Sequence, residues 1–599
     1  MVALAIAALA AALVRRWQRR HATARTLDAV VLIGAGLLAL VGLLATGLAL
    51  LGMFSAEFAV FVFAGAAVLI WPWGQVADAP VARDPPPPDP WPVWATAAAL
   101  ALVTLLLRVP TMPAELAGRD PGTYVLRARH TLRTGEIGLV DPVLAAAGRA
   151  EGTRPGPGDI LGLYPREQGP ARQDRYEAPY RPGFYLQSRA RGEVVPQFLH
   201  LHPQLLAATG LVLGPQHLTA VLYLEAVLAV LALWALARRL WPRGPWAHIA
   251  ATLYLVSPIA VWVQRTPLTE PLTGLLFLAA ALALARGWRE QIDMTVVAAL
   301  LLGATGWIRG NAWITSVPLF AVLWLSPQQH RRYLAPAALF LALVASLAVH
   351  VVTSYPYLHD ELARQLGRVP LGLTSVAAAA ALAATAWLLG DRLLRPLRGR
   401  VALLPAALAC LAAVALLAWA AMLLETRGAP WSRLDPAGPL LGFFLIVAAL
   451  AGAVVLAARR LPADPHLVWL AALASVPVTT LALYAQRNLP HISLYYYGRY
   501  LVPELLPLAC LLAAAALVAG HSYMSRRTGS KIQAGLAAAG AALVLLAAQI
   551  YPYVLTPVTR LQEFVGAERA IDALAAELPA DAVVIAGGEG WHSAHTFNQ

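Results

Sequence analysis

The chain has 599 residues, of which 59% are hydrophobic and only 13% are charged, with a mean hydropathy of +0.63. This composition excludes a soluble domain of this length and indicates a membrane protein. The formal net charge is +13, but most arginines lie at the ends of apolar segments, where the positive-inside rule explains them without nucleic acid. Both cysteines, Cys410 and Cys510, fall inside apolar runs and imply no disulfide framework.

Apolar windows long enough to cross a bilayer core as helices recur along nearly the whole chain. The runs are continuously apolar, whereas the strands of a membrane β-barrel would alternate. We therefore predict an all-α polytopic membrane protein. The predicted spans cover residues 28–52, 55–73, 91–109, 217–237, 247–264, 270–286, 294–308, 312–326, 333–353, 370–390, 401–424, 439–458, 467–485, 501–520 and 532–555.

Two features modify this pattern of spans. Residues 1–14 are apolar but follow no basic stretch, so they resemble a short span more than a signal peptide. The pair 294–308 and 312–326 is short, which is consistent with a re-entrant hairpin around Arg309.

The domain organisation follows from breaks in composition. Residues 1–76 hold two or three accessory spans, and residues 77–90, with four consecutive prolines, form a stiff cytoplasmic linker. Residues 91–556 form the main transmembrane domain, which includes an extracytoplasmic loop at 110–200. In residues 557–599, helical spacing over 561–578 precedes a strand pattern at 582–586. One helix and one strand do not make a domain, so we expect the chain to end within a soluble α/β domain.

The distribution of basic residues sets the orientation. If residues 15–25 are cytoplasmic, alternation places 22 Lys and Arg in the eight connections on that side and 8 in the opposite short loops. The loop 110–200 and the C-terminal tail then lie on the extracytoplasmic side of the cell membrane.

Asp120 is the leading candidate for catalysis. It follows the span 91–109 by about ten residues, and Pro121 and Gly122 turn the chain so that residues 124–134 can run as a helix along the membrane surface. A carboxylate at this boundary can act as a general base towards a hydroxyl or amine. The alternative is a helix N-cap, for which Asp is also favoured.

Four local patterns, in this order and on one side of the membrane, resemble the GT-C superfamily of membrane glycosyltransferases. They are GRDPGTY at 118–124, FLHLHP at 198–203, RTPLTEP at 265–271 and YGRYLVP at 497–503. Within the superfamily, residues 91–599 are most similar to the protein O-mannosyltransferases and the lipid A aminoarabinose transferases. The resemblance implies a GT-C-like bundle of about 13 spans, a polyprenyl-phosphate-linked sugar as donor, and an acidic base in the first loop, which maps onto Asp120. Many O-mannosyltransferases carry paired acids there, whereas this chain has Arg119 and Asp120.

A donor that leaves as a lipid phosphate needs cations at the membrane surface, and guanidinium groups bind phosphate in bidentate fashion. Arg499 and Arg487 are the first candidates, with Tyr500 beside Arg499. Extracytoplasmic arginines oppose the positive-inside rule and so need their own explanation. Arg309 and Arg265 rank second on the same argument. An interfacial aromatic belt is the competing explanation for the tyrosines.

Other polar residues complete the predicted cavity. Glu270 opens a span, where it faces the same cavity in the family's layout or else complements the helix dipole. Tyr124, His200 and His202 are candidates on the acceptor side, although the histidines are better explained by packing or hydrogen bonding than by metal ligation. Glu225 lies inside a span, where a functional or paired role is the default. The residues identify no cofactor, and a divalent cation is left open.

The predicted function is transfer of a sugar from a polyprenyl-phosphate donor to an extracytoplasmic acceptor, which is a protein, a lipid or a cell-envelope glycan. Asp120 would be the base, and a single displacement would invert the anomeric centre. A multi-pass transporter or lipid-linked glycan flippase is the alternative, although such folds usually show two similar halves, which this sequence lacks. A polymerase or ligase of surface glycans shares the chemistry but usually places its large loop late in the chain.

The topology gives a first prediction. Single cysteines introduced near Gly156 and Gly588 should both react with a membrane-impermeant thiol reagent in intact cells, because the basic asymmetry places both segments outside. Reaction at one site and protection at the other would contradict the predicted topology.

Overall fold

The computed structural model describes residues 1–21, 26–71, 89–112, 119–150, 178–181, 183–188, 190–289, 292–310, 329–359, 372–393, 413, 438–458, 499–555, 558–560, 562, 565–579 and 582. Within these residues, eight helices are long and apolar enough to cross a membrane, or nine if a bent pair counts as one span. The predicted class, a helical polytopic membrane protein, is confirmed. The predicted spans 312–326 and 467–485 lie outside the described residues, and so does the span 401–424 except for residue 413.

Four of the described helices precede the large loop. They are α1 (Val2–His21), α2 (Leu27–Leu50), α3 (Ala56–Ile70) and α4 (Trp91–Arg108). Side chains cap two of them: Thr26 Oγ1 accepts from Ala29 N at the start of α2, and Ser55 Oγ accepts from Phe58 N at the start of α3, both at 3.4 Å. These contacts supply acceptors for N–H groups that have no partner inside the helix.

The large loop combines helices with a small sheet. It contains α5 (Arg119–Thr134), β1 (Leu139–Val140), α6 (Pro142–Ala150), β2 (Ala178–Arg181), β3 (Phe184–Ser188) and β4 (Glu193–Pro196). The strands are antiparallel in the order β1-β4-β3-β2, and Leu144 of α6 packs on Leu186 and Val194 of the sheet. The sequence predicted a helix at 124–134 after a turn at Pro121 and Gly122, whereas α5 already begins at Arg119 and includes both residues. The sheet was not predicted. Gly192 turns into β4 with a φ of 68°, and a Cβ there would lie 2.2 Å from the Asp141 carbonyl oxygen.

The main bundle follows the loop. Its helices are α7 (Leu201–Leu213), α8 (Val221–Leu240), α9 (Trp246–Leu255), α10 (Pro258–Arg265), α11 (Glu270–Arg289), α12 (Ile292–Thr305), α13 (Gln329–Thr353), α14 (Leu373–Leu393), α15 (Gly438–Ala458), α16 (Leu505–Thr528) and α17 (Lys531–Leu555). A further helix, α18 (Ala567–Glu577), lies in the C-terminal tail, and its described side chains are exposed. Helix α18 falls within the amphipathic pattern predicted at 561–578, whereas residues 583–586 of the predicted strand lie outside the described part.

The predicted span 247–264 is a broken helix. Helices α9 and α10 meet at an angle of 56°, where Pro258 prevents continuation. Arg108 Nη2 donates to the Leu255 carbonyl at 3.0 Å, and Tyr553 Oη donates to the Val256 carbonyl at 2.9 Å. These donors satisfy carbonyl groups that the break removes from the helical ladder.

The N-terminal helices share the hydrophobic core of the main bundle. Gly34 and Gly42 of α2 allow close contact with Leu228 of α8 and Leu201 of α7, since a Cβ at either glycine would lie within 3 Å of the facing leucine. At one end of α2, Arg239 Nε donates to Asp28 Oδ2 at 3.0 Å. The helices at 1–76 are therefore packed as part of the bundle.

Helices α15 and α16 touch at Gly452, and this contact yields a prediction. A Cβ at Gly452 would lie 1.9 Å from the Leu512 carbonyl oxygen, so Gly452→Ala must push the helices apart and cost about 1–3 kcal/mol. The matched control is Gly540→Ala in α17, where no atom lies within 4 Å of the added methyl group. Thermal unfolding in detergent should show a lower midpoint for Gly452→Ala alone. Equal midpoints for the two variants would contradict the close helix contact.

Candidate functional site

Three helices begin at a common point, and each brings a carboxyl group there. Asp120 lies in the first turn of α5, Glu270 is the first residue of α11, and Glu504 is the N-cap of α16. A helix N-terminus favours a negative charge in its first turn. The three acids and the cations between them, Arg309 and Arg499, are called the charge cluster below.

Arg499 lies at the centre of the charge cluster, in a short 3-10 helix (Arg499–Leu501). Its side chain is 2% exposed, and its Nη2 contacts Asp120 Oδ2 in a short ion pair. Its Nε lies 3.3 Å from Glu270 Oε1. One guanidinium group therefore joins the first loop to the start of α11.

Tyr500 and Arg309 close another side of the charge cluster. Arg499 Nη2 donates to Tyr500 Oη at 2.9 Å, and the guanidinium carbon of Arg499 lies 4.7 Å from the centre of the Tyr500 ring. The guanidinium carbon of Arg309 lies 4.9 Å from the same ring, and its Nη1 lies 3.8 Å from Glu270 Oε1. Both separations fall in the cation–π range. Tyr500 is thus packed between cations and is not a freely exposed residue of an interfacial belt.

Glu504 is a member of the charge cluster that sequence reasoning missed. It lay inside the predicted span 501–520, where it appeared as part of an apolar run. Its side chain is buried, and within the described residues its Oε2 has no hydrogen-bond partner. Burial raises the pKa of Glu504 to about 7, while Arg309 acts in the opposite direction. The available signal was a lone acid directly after the YGRYLVP pattern.

Tyr124 lies one turn along α5 from Asp120 and is also buried. Burial raises its pKa, and the charges of Asp120 and Glu270 add to this effect. The Tyr124 ring packs 5.0 Å from the Phe198 ring and meets the edge of the His202 ring at 5.4 Å. Tyr124 and His202 therefore form the aromatic wall behind Asp120.

His200 belongs to a separate network that fixes the start of α7. Arg127 Nη1 donates to the carbonyls of Gln197 and Leu199 at 3.0 Å, and its Nη2 lies 2.5 Å from His200 Nδ1. Burial holds the pKa of His200 well below its usual value, and Arg127 contributes in the same direction. The neutral ring accepts at Nδ1 and so donates from Nε2 to Thr353 Oγ1 at 2.7 Å. This geometry gives His200 a structural role.

Arg265 donates to backbone carbonyls that are not part of the charge cluster. Its Nε donates to the Pro110 carbonyl at 2.9 Å, and its Nη1 donates to the Val558 carbonyl in a short hydrogen bond. The Arg265 carbonyl in turn accepts from Met112 N at 2.8 Å. Arg265 thus ties the end of α10 to the start of the large loop and to the segment after α17.

Arg487 lies outside the described residues. Glu225 is buried in α8, and neither of its carboxyl oxygens has a hydrogen-bond partner among the described residues. The described residues also contain no group of three or more His, Cys, Asp or Glu side chains that could hold a metal ion.

The charge cluster has the groups for two chemical tasks. Its guanidinium groups can bind an anion, and its carboxylates can accept a proton from a neighbouring hydroxyl or amine. Comparisons of the chain with models of known protein families, with curated proteins and with solved structures give no match.

Proposed function

We propose that the protein is a membrane glycosyltransferase that moves a sugar from a polyprenyl-phosphate donor to an extracytoplasmic acceptor. The supporting observation is the contact between Asp120 and Arg499, which are 379 residues apart in the sequence. The sequence patterns predict that Asp120 is a base and that Arg499 is a phosphate ligand. Their side chains meet in a buried cluster at the ends of apolar helices.

In the proposed reaction, Arg499 and Arg309 bind the phosphate of the donor. The acceptor oxygen or nitrogen attacks the anomeric carbon and gives its proton to Asp120, while the bond from that carbon to the phosphate oxygen breaks. The electron pair of this bond leaves with the lipid phosphate, whose added negative charge the guanidinium groups stabilise. One displacement inverts the anomeric configuration. The proposed acceptor is a protein, a lipid or a cell-envelope glycan.

Replacement of Asp120 tests the proposed base. Asp120→Asn keeps the size of the side chain but removes its basicity, so transfer of labelled sugar from a polyprenyl-phosphate donor to membrane acceptors should fall by about 100-fold or more. Asp141→Asn is the matched control. Asp141 lies in the same loop, and its Oδ1 caps α6 by accepting from Val143 N and Leu144 N at 3.0 and 3.1 Å, a role that Asn can fill.

Both variants should elute as monodisperse protein in detergent. The proposed base is wrong if Asp120→Asn transfers sugar as fast as Asp141→Asn does.

Replacement of Arg499 tests the proposed phosphate ligand. Arg499→Lys keeps the positive charge near Asp120 but loses bidentate contact, so the affinity for a short-chain polyprenyl phosphodiester should fall by about 10- to 100-fold, equivalent to about 1.5–3 kcal/mol. The matched control is Arg127→Lys, which alters a buried arginine in α5 that contacts carbonyls and His200. If Arg499→Lys binds the lipid as tightly as the wild type, the phosphate site lies elsewhere.

A transporter or lipid-linked glycan flippase is the second candidate. The break between α9 and α10 favours it, because broken helices are typical of transporter binding sites. Reconstitution into liposomes separates the two proposals. A flippase moves a fluorescent polyprenyl-phosphate sugar between leaflets without altering it, whereas a transferase releases polyprenyl phosphate only when an acceptor is present.

A further inference from the structure

Glu504 is one of two carboxyl groups of the charge cluster, with Glu270, that the proposed reaction does not use. Asp120 and Glu270 are both paired with Arg499. Glu504 is just as buried, yet its Oε2 has no hydrogen-bond partner within the described part of the chain. A buried carboxylate oxygen without a partner is costly, whereas a protonated carboxyl group reduces that cost.

The backbone fixes Glu504 close to the other members of the charge cluster. It follows the 3-10 helix of Arg499 and Tyr500 by a short turn and serves as the N-cap of α16. On the opposite side, α11 approaches this turn closely, because a Cβ at Gly274 would lie 3.2 Å from Pro503 Cα. The electrostatic neighbours of Glu504 are Arg309 and Glu270.

The charges of the cluster do not balance when every group is ionised. Asp120, Glu270 and Glu504 would carry three negative charges against the two positive charges of Arg309 and Arg499. A phosphodiester would add another negative charge to a buried site, where charges interact strongly. A proton on Glu504 removes one negative charge without breaking either ion pair of Arg499.

We propose that Glu504 is a positioning residue of the donor site whose carboxyl group takes up a proton when a phosphodiester binds to Arg309 and Arg499. This inference rests on the proposed function and extends it. Binding of the anionic donor would thus be coupled to the uptake of one proton by the protein. Affinity for the donor would then depend on pH although the phosphodiester itself does not titrate near neutral pH.

The direction of the pH dependence follows from the environment of Glu504. Burial raises its pKa to about 7, so it loses its proton as the pH rises through the neutral range. A bound phosphate raises that pKa further, so donor affinity is highest at low pH and falls as the free protein deprotonates. The decrease is at most about tenfold for each pH unit.

The other ionisable groups at this site are held in ion pairs or are buried. Arg499 is paired with Asp120 and Glu270, and Arg309 is paired with Glu270. Burial raises the pKa values of Tyr124 and Tyr500. Burial also lowers the pKa of His202, behind Tyr124, to about 3.

The test measures binding of a short-chain polyprenyl methyl phosphodiester to the purified protein in detergent at about pH 6 and about pH 8.5. The wild type should bind on the order of tenfold more weakly at the higher pH. Glu504→Gln, which mimics the protonated acid, should bind equally well at both. Glu225→Gln, a change at another buried acid, should keep the wild-type pH dependence.

Calorimetry of the wild type in two buffers with different ionisation enthalpies adds a measurement that needs no variant. Near pH 8, binding should take up about one proton. A second outcome is that the wild type binds tightly at both pH values without taking up a proton. That result would overturn the role of Glu504 but would not contradict the proposed donor site. Failure of the wild type to bind the phosphodiester at either pH would overturn both proposals.

Discussion

The ion pairs that Arg499 makes with Asp120 and Glu270 constrain the rest of the structure. Removing a charge from water costs several kcal/mol even after the protein relaxes, so a buried charge is tolerated only with partners in good geometry. This requirement brings together the first loop, the start of α11 and the segment before α16. Each partner lies at a helix start, where the helix dipole contributes to holding a carboxylate.

The surrounding structure keeps these helix starts in place. Arg127 binds three successive backbone carbonyls before α7 and supports the turn at Phe198, whose φ is 76°. Arg108 performs the same task at the break between α9 and α10. These buried guanidinium groups thus donate hydrogen bonds to backbone carbonyls where the chain leaves regular helix. In the charge cluster, the guanidinium group of Arg499 pairs with carboxylates instead.

The sequence predicts functional residues where a charged residue is unusual for its position next to apolar spans. Asp120 and Arg499 were identifiable because an acid beside a span, and an arginine on the side where basic residues are scarce, both need explanation. Glu504 was hidden because a single acid does not interrupt an apolar run. Arg265 donates to backbone carbonyls, and such contacts cannot be predicted because every residue type has a backbone carbonyl. The sheet of the large loop and the break between α9 and α10 depend on tertiary contacts of short segments, and local patterns carry little information about such contacts.

The donor site can be located by a structure of the protein bound to a short-chain polyprenyl phosphodiester. If Arg499 binds the donor, phosphate oxygens should lie within about 3.5 Å of its guanidinium nitrogens. The Asp120 carboxylate should then be released from Arg499 and face the anomeric side of the donor. A lipid phosphate bound elsewhere, with the contact between Asp120 and Arg499 unchanged, would rule out this donor site.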